Sequence, residues 1–467
     1  MMPRLPVSTL ICCSLLCASA AVDAQTLNMK EAISTAIANY GTIKAKTNYV
    51  NASKQSVEQS KREYLPNFTL SAQQDYGTVN GQTGPLAPLG PGLNVASSGP
   101  TLGSQNWNAA FGALYLSNIN WDFFSFGRIR ERINVTKATL RRDENDLNQE
   151  IFQHEVRVSS AYLNLLAAQR LAKSQQKNLE RAIVFKNNAV VRAKNGLIAG
   201  VDSALANAAV SSAKIALTNA IDLQQEQANR LGVLMGVTAT DFQLDTASIN
   251  HVPQAILLSD TTANFKEHPV LKYYRNRVDV SLQQLSYYKK LIYPTFSFIG
   301  VFQGRASGFG ANYVNNLNDF SHSYTDGINP TRANYLVGVG LTWNLTTLLR
   351  NSPQVKAQRY TSQGLENEYQ LVDQQLHSQL ALSETKIRNA MANYAEAPEQ
   401  VKAASQAYLQ RSVLYKNGLT TLVDLTQALF ALNKAETDRD IAYTNVWQAL
   451  LIKSAAMGDY NLFINEF

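Results

Sequence analysis

Two spacings of apolar residues alternate along this chain. Val158, Tyr162 and Leu165, and later Leu422, Leu425, Leu429 and Leu432, recur every three or four positions, which draws one apolar stripe along a helix. Elsewhere the spacing is two. Phe68, Leu70 and Ala72 alternate with Asn67, Thr69, Ser71 and Gln73; Trp107, Ala109, Phe111, Ala113 and Tyr115 alternate with Asn108, Ala110 and Gly112, and the pattern runs on to Trp121. Phe296 and Phe298 alternate with Thr295 and Ser297, and Tyr335, Val337, Val339, Leu341 and Trp343 with Gly338, Gly340, Thr342 and Asn344. A period of two predicts strands with unlike faces. Four strands are therefore expected, over about 66–76, 106–122, 294–303 and 333–346. Segments rich in Gly, Asn, Pro and Ser, at roughly 77–105 and 304–332, join each pair.

Proline marks where the helices can run. None occurs between Pro100 and Pro253, and only Pro398 follows Pro353. Within those spans, 128–195 and 350–417 are each 68 residues, or about 100 Å if helical throughout, at 1.5 Å per residue. Helices of that length need coiled-coil neighbours to be stable. Each ends at Asn-Gly, a C-cap signature, and a return helix starts near Asp202 or Asp424 and runs to Gly236 or Gly458. Each half is thus expected to hold a helical hairpin, turning at 196–201 and 418–423. Pro398 is expected to kink the second hairpin; its counterpart in the first is Gln176.

The two halves repeat one another. At a shift of 222, Trp121 falls on Trp343, Arg128 on Arg350, 194–197 (Lys-Asn-Gly-Leu) on 416–419, Val201-Asp202 on Val423-Asp424, and Met235-Gly236 on Met457-Gly458. At a shift of 228, Lys44 falls on Lys272, Asn48 on Asn276, Ser53 on Ser281, Gln55 on Gln283, Pro66 on Pro294 and Phe68 on Phe296. The difference is absorbed between Phe68 and Trp121, in a Gly- and Pro-rich segment. A period this long is not a solenoid; it is one structural half duplicated. The chain divides into 1–24, a first repeat over 25–236, a linker over 237–267, a second repeat over 268–460 and a C-terminal tail over 461–467.

Composition narrows the class. Residues 1–24 have the character of a secretory signal: Arg4, an apolar stretch over 7–17, then Ala18-Ser19-Ala20 and Val22-Asp23-Ala24 as cleavage sites. Cys12, Cys13 and Cys17 all lie inside it, so a mature chain has neither disulfide nor thiolate metal site. A second reading makes Leu15-Leu16-Cys17 a lipoprotein box with Cys17 acylated, although Leu before the Cys fits that pocket poorly. Beyond residue 24 no apolar run is long enough for a membrane-spanning helix. Only 16% of residues are charged, against about 25% in soluble proteins, and the net charge of +7 is scattered. No basic face for nucleic acid results. His154, His251, His268, His322 and His377 show no ligand-type spacing, and no Gly-rich loop opens a helix after a strand. No metal, cofactor or enzymatic activity is expected.

The four strands admit two readings. One is a half-buried sheet in a soluble domain. The other is a transmembrane barrel with aromatic rims and a polar lumen. Four strands cannot close a membrane barrel, for which about eight are needed, so a barrel requires several chains in a cyclic oligomer.

The chain resembles the TolC-type outer-membrane channels, the outer membrane efflux protein family, over about residues 26–460. The resemblance rests on Leu27-Asn28-Met29-Lys30-Glu31-Ala32 with Ala36 and Asn39, on the helix-to-strand prolines of Tyr64-Leu65-Pro66 and Tyr293-Pro294, and on Trp121-Asp122-Phe123-Phe124 with Gly127-Arg128. It rests also on two tip motifs, Asn195-Gly196-Leu197 through Asp202 and Tyr415-Lys416-Asn417-Gly418-Leu419 through Asp424. It implies an α+β membrane protein of the bacterial outer membrane, extending into the periplasm. In it a homotrimer shares a 12-stranded β-barrel, four strands per chain, continuous with a long α-helical barrel. Its implied partners are outer-membrane lipid, a periplasmic adaptor (membrane fusion) protein and an inner-membrane pump of the RND, ABC or MFS type.

The resemblance also implies residue roles. Asp424 faces the pore, where three carboxylates about a three-fold axis attract cations and crowd one another's pKa upward. Gln427 stands where relatives carry a second acid. Asp202 is a cap or a latch partner and Tyr415 a latch residue, with Thr420 in place of a basic residue found in some relatives. Gly196, Leu197, Gly418 and Leu419 are docking points for the adaptor. Read from local sequence alone, Asp424 is equally an N-cap, Tyr415 a packing residue and the glycines helix ends. The rival to a passive efflux or type I secretion channel is a coiled-coil stalk or adhesin of the cell envelope.

Overall fold

The computed structural model describes residues 26–81, 99–196, 198–238, 241–245, 251–257 and 265–467. The leader over 1–24 with Cys17, and Leu197 at the first tip, lie outside them. In chain order the elements are α1 (Met29–Asn39), α2 (Gly41–Arg62), β1 (Asn67–Thr78), β2 (Ala109–Phe124), α3 (Arg128–Lys194), α4 (Gly200–Met235) and α5 (Gln254–Leu257). There follow α6 (Pro269–Lys290), β3 (Thr295–Ser307), α7 (Tyr324–Ile328), β4 (Arg332–Thr342), α8 (Thr347–Lys416), α9 (Leu422–Met457) and α10 (Asn461–Ile464). The chain forms two compact units, and each takes residues from both sequence repeats.

One unit comprises 45–149 and 269–373 and holds the sheet. Its four strands form an antiparallel meander in the order β1-β2-β3-β4, leaving β1 and β4 as open edges. Register sorts the side chains, because paired residues share a face. Phe68 pairs with Ile119, Ile119 with Gly300 and Gly300 with Val337; Trp121 pairs with Phe298 and Phe298 with Val339. The other face carries Asn67 opposite Asn120, and Gln73, Gln303 and Asn334. One face is therefore mostly apolar, and the other mixes these polar residues with Leu114, Leu116, Ile299, Val301 and Leu336. The apolar side chains are bare of protein in the single chain: Leu70 is 71% exposed, Val337 64% and Val339 66%.

Several strand ends differ from the expected ones. β1 and β3 run further, to Thr78 and Ser307. β2 starts at Ala109, because Asn80 grips Asn106 through both backbone groups, at 2.6 and 2.8 Å, and leads the chain off the sheet. β4 stops at Thr342, since the chain turns at Asn344 to enter α8. The segment expected as loop over 304–332 contains α7, whose Tyr324 meets Phe111 edge-on at 5.1 Å and donates to Gln74 Oε1 at 2.7 Å.

The helix-to-strand junctions repeat. α2 and α6 are each 22 residues, and each ends in two cations, Lys61-Arg62 and Lys289-Lys290. Pro66 and Pro294 stand one residue before β1 and β3, where a fixed φ suits entry to a strand. From β2 into α3 the chain reverses through Phe126 (φ 50°) and Gly127 (φ 87°). The left-handed Phe126 is held by its ring, stacked on Tyr293 at 5.4 Å.

The other unit comprises residues up to 44, 150–268 and 374–467. Its core joins Met29, Ala32 and Ala36 of α1 with Tyr162, Leu165 and Leu166 of α3, Leu231 of α4, and Trp447 and Leu450 of α9. Asn28 caps α1, its Oδ1 accepting from the Glu31 amide at 2.8 Å. The segment read as a tail, 461–467, belongs to this core. Phe463 is fully buried, Phe467 lies 4.5 Å from the Trp447 ring, and the Glu466 carboxylate accepts from the amides of Gln254 and Ala255. α8 is helical without interruption on both sides of Pro398. Among the described residues no helix is long and apolar enough to cross a membrane.

Candidate functional site

The tips of the two hairpins lie in this second unit and start from the same turn. Gly196 (φ 71°) and Gly418 (φ 76°) both adopt the left-handed conformation that ends a helix cheaply only with glycine. The Gly418 amide donates to Tyr415 O at 3.1 Å and that of Leu419 to Leu414 O at 2.9 Å, completing the C-terminal turn of α8. Leu419 then stands 72% exposed.

Past the turns the halves diverge. α9 opens with a reciprocal cap: Thr421 Oγ1 accepts from the Asp424 amide at 3.2 Å, and Asp424 Oδ2 accepts from the Thr421 amide at 3.3 Å. The hydroxyls of Thr420 and Thr421 also donate to Asp424 Oδ2, at 2.8 and 2.7 Å, and the Arg411 guanidinium stands 3.9 Å away. The Thr421 and Thr420 hydroxyls, with smaller help from Arg411, hold the Asp424 carboxyl below the usual carboxylate range. Within the chain the shift therefore runs opposite to the upward shift expected from crowding in a ring. α4 opens instead at Ala199, which has no side chain to cap it, and Asp202 sits in the first turn. Gln427 is exposed one turn beyond Asp424.

Tyr415 is buried, 5% exposed, in a cluster with Phe185, Ala189, Ala206, Leu422 and Leu425 that draws on α3, α4, α8 and α9. Its hydroxyl has no hydrogen-bond partner among the described residues. Burial, above all, pushes its pKa up; Arg192 opposes this and the Asp202 charge adds to it. Asp202 is thus an electrostatic neighbour of Tyr415. Thr420 is bound to Asp424 and accepts from Arg411 Nη1 at 3.1 Å, so its contacts fall within its own hairpin.

At the tips, Arg192 links the two hairpins, a residue that sequence reasoning missed. From α3 its Nη1 donates to Tyr415 O at 2.6 Å and to Lys416 O at 3.4 Å, while its guanidinium lies 5.1 Å from the Tyr415 ring centre. A cation on the last carbonyls of a helix satisfies groups the helix cannot pair and matches its dipole. Further along, Arg181 of α3 pairs bidentately with Glu436 of α9, at 3.2 and 2.7 Å. The Gly418 turn lies against the same guanidinium, since a Cβ there would come within 3.8 Å of Arg192 Nη2.

The sequence pattern of the family described as outer membrane efflux protein matches residues 32–237. Solved outer-membrane proteins share the fold over nearly the whole chain. The outer membrane protein VceC of Vibrio cholerae is 16% identical, with a TM-score of 0.71 over 92% of this chain and 96% of its own. The CmeC outer membrane channel of Campylobacter jejuni is 14% identical, with a TM-score of 0.73 over 92% of this chain and 85% of its own. The MtrE outer membrane channel of Neisseria gonorrhoeae, solved in its open state, is 14% identical, with a TM-score of 0.69 over 92% and 89%. No curated protein matches the chain in sequence. The family likeness is thus present in sequence through the first repeat and in fold through both.

Proposed function

We propose that this chain belongs to the outer membrane efflux protein family and is the outer-membrane exit channel of a tripartite efflux or type I secretion system. The observation that carries the reading is the four-stranded sheet with two open edges, one mostly apolar and bare face, and a second face that carries Asn67, Asn118, Asn120, Gln303 and Asn334 among apolar residues. Unpaired edges on an exposed apolar sheet are a liability unless other strands cover them. In lipid they must be covered, because no water satisfies their backbone groups. Three copies, with β4 of each pairing with β1 of the next, close a twelve-stranded barrel, with the mostly apolar face outward and the face that bears the Asn and Gln side chains inward. The outer membrane then takes the sheet, and the helical hairpins extend into the periplasm.

At the periplasmic tip Asp424 supplies a ring of three carboxylates and Gln427 the next layer. Arg192, Tyr415 and Asp202 hold the two hairpins of one chain together, and Arg411 and Thr420 fix Asp424. Gly196, Leu197, Gly418 and Leu419 form the docking surface for a periplasmic adaptor protein, which couples the channel to an inner-membrane pump of RND, ABC or MFS type. Single-channel recording of the purified protein in a planar bilayer tests the reading. Cation-selective openings support it; a protein that never conducts, including as Arg192→Ala, returns the chain to the class of structural stalks.

A further inference from the structure

The helix-to-strand junction of the first repeat carries two clefts of opposite character. One is lined by Glu63, Asp122, Arg128 and Arg132 together with Asn67 and Asn120 of the sheet. Its charges cancel: Arg132 pairs with Glu63 at 3.0 Å, and Arg128 stands 3.7 Å from Asp122. The other holds about 560 Å³ between the end of α2 and the start of α3. It is lined by Lys61, Arg130 and Lys137 with Tyr64, Phe123 and Phe124, and no carboxylate lines it. Of the three cations, Lys61 has an acidic neighbour, Glu58 at 2.6 Å outside the cleft. The first turn of α3 borders it through Ile129 and Arg130, adding the positive end of a helix dipole.

The order of side chains along this cleft matters. Phe123 and Phe124 end β2 and Tyr64 lies just before β1, whereas Arg130 and Lys137 follow on the helix, nearly two turns apart. Aromatic rings beside an apolar band, then cations, is the sequence of environments crossed in leaving the acyl region of a bilayer for its headgroups. Phosphate carries the charge in that layer, and clustered Lys and Arg beside a membrane surface attract anionic lipids. The volume is that of a small-ligand site.

We propose that this cleft binds the phosphate headgroup of an anionic phospholipid from the periplasmic leaflet of the outer membrane. Lys61, Arg130 and Lys137 surround the phosphate, and Tyr64, Phe123 and Phe124 lie against the first carbons of the acyl chains. The proposal rests on the channel reading, which sets the junction at that leaflet.

Native mass spectrometry of the full-length oligomer tests it, with phosphatidylglycerol and phosphatidylethanolamine of equal chain length offered together. Wild type is expected to retain phosphatidylglycerol severalfold over phosphatidylethanolamine, up to one per chain. Arg130→Gln with Lys137→Gln is expected to abolish that preference, and Lys386→Gln, on α8 in the other unit, to keep it. Equal retention of both lipids by wild type, or an unchanged preference in the double variant, overturns the proposal. Displacement of the lipid by an equal concentration of inorganic phosphate also overturns it, because the cleft would then be a site for the free anion. Recording from the same preparations and from Arg192→Ala separates the two readings: conductance without lipid preference removes the lipid site alone, whereas absence of conductance in both wild type and Arg192→Ala removes the channel.

Discussion

The indole N–H of Trp121 donates to the backbone carbonyl of Tyr64, 2.8 Å away, and 222 residues on Trp343 makes the same bond to the carbonyl of Ile292 at 3.0 Å. Tyr64 and Ile292 are themselves equivalent at the shift of 228. Each bond ties the end of the second strand of a repeat to the turn that feeds its first strand. It satisfies a carbonyl that neither helix nor sheet pairs.

Trp121→Phe and Trp343→Phe each keep an aromatic ring and remove that donor. A lost hydrogen bond of this kind costs about 1 kcal/mol per chain, and the two bonds share no partner, so their losses add. The temperature at which the oligomer dissociates is expected to fall for either variant and further for both together. An unchanged dissociation temperature would mean that water serves these carbonyls equally well.

Arg192→Ala removes a cation–π contact and both bonds to the last carbonyls of α8, while leaving the Gly196 and Gly418 turns intact. Single-channel conductance is expected to rise severalfold, with cells expressing the variant becoming permeable to large antibiotics. Arg192→Lys, which cannot reproduce the planar fork, is expected to fall between. If conductance matches wild type in both, Arg192 is a helix cap and not a latch.

Duplication made most of this architecture legible. The expected helix over 128–195 is α3, Arg128–Lys194, and the return helices end at Met235 and Met457, just before the glycines that the repeat aligns. The four strands were legible from their period of two. What the repeat could not show is whatever one half does alone. Arg192 falls on Leu414 and Arg411 falls on Ala189, so both arginines drop out of any comparison between halves. The Asp202 and Asp424 pair misleads in the opposite way. The positions align, yet Thr421 caps one helix where Ala199 leaves the other uncapped. The Trp121 bond was hidden because its acceptor is a backbone carbonyl, which no side-chain identity announces.

Asp424 gives a pH test. Its pKa lies below the ordinary carboxylate value because Thr421 and Thr420 donate to the charged form, so the charge survives acidification. Cation selectivity, read as reversal potential in a salt gradient, is expected to persist until the pH falls below about 4. Thr420→Val with Thr421→Val is expected to move that loss to higher pH. Wild-type selectivity already lost near pH 6 would show that repulsion among the carboxylates of a ring outweighs the hydroxyls.

Glu155 on α3 gives the opposite sign. It lies one residue from fully buried His154, whose ring stacks on Tyr40 at 3.8 Å, and burial pushes the Glu155 carboxyl up to about 7. Between its ordinary 4.5 and about 7 the folded chain holds a proton that the unfolded chain has released. Stability is therefore lost as pH rises through that window, by at most on the order of 3 kcal/mol per chain. His154 works the other way: burial lowers its pKa, so acidification charges the unfolded chain first and costs stability below its ordinary 6.5. Comparing Glu155→Gln with wild type at each pH isolates the carboxyl from the histidine. The melting temperatures are expected to coincide near pH 4.5, with the variant several degrees higher at pH 8. A constant difference across the range would mean that Glu155 is hydrated in the assembled protein and titrates as an ordinary carboxylate.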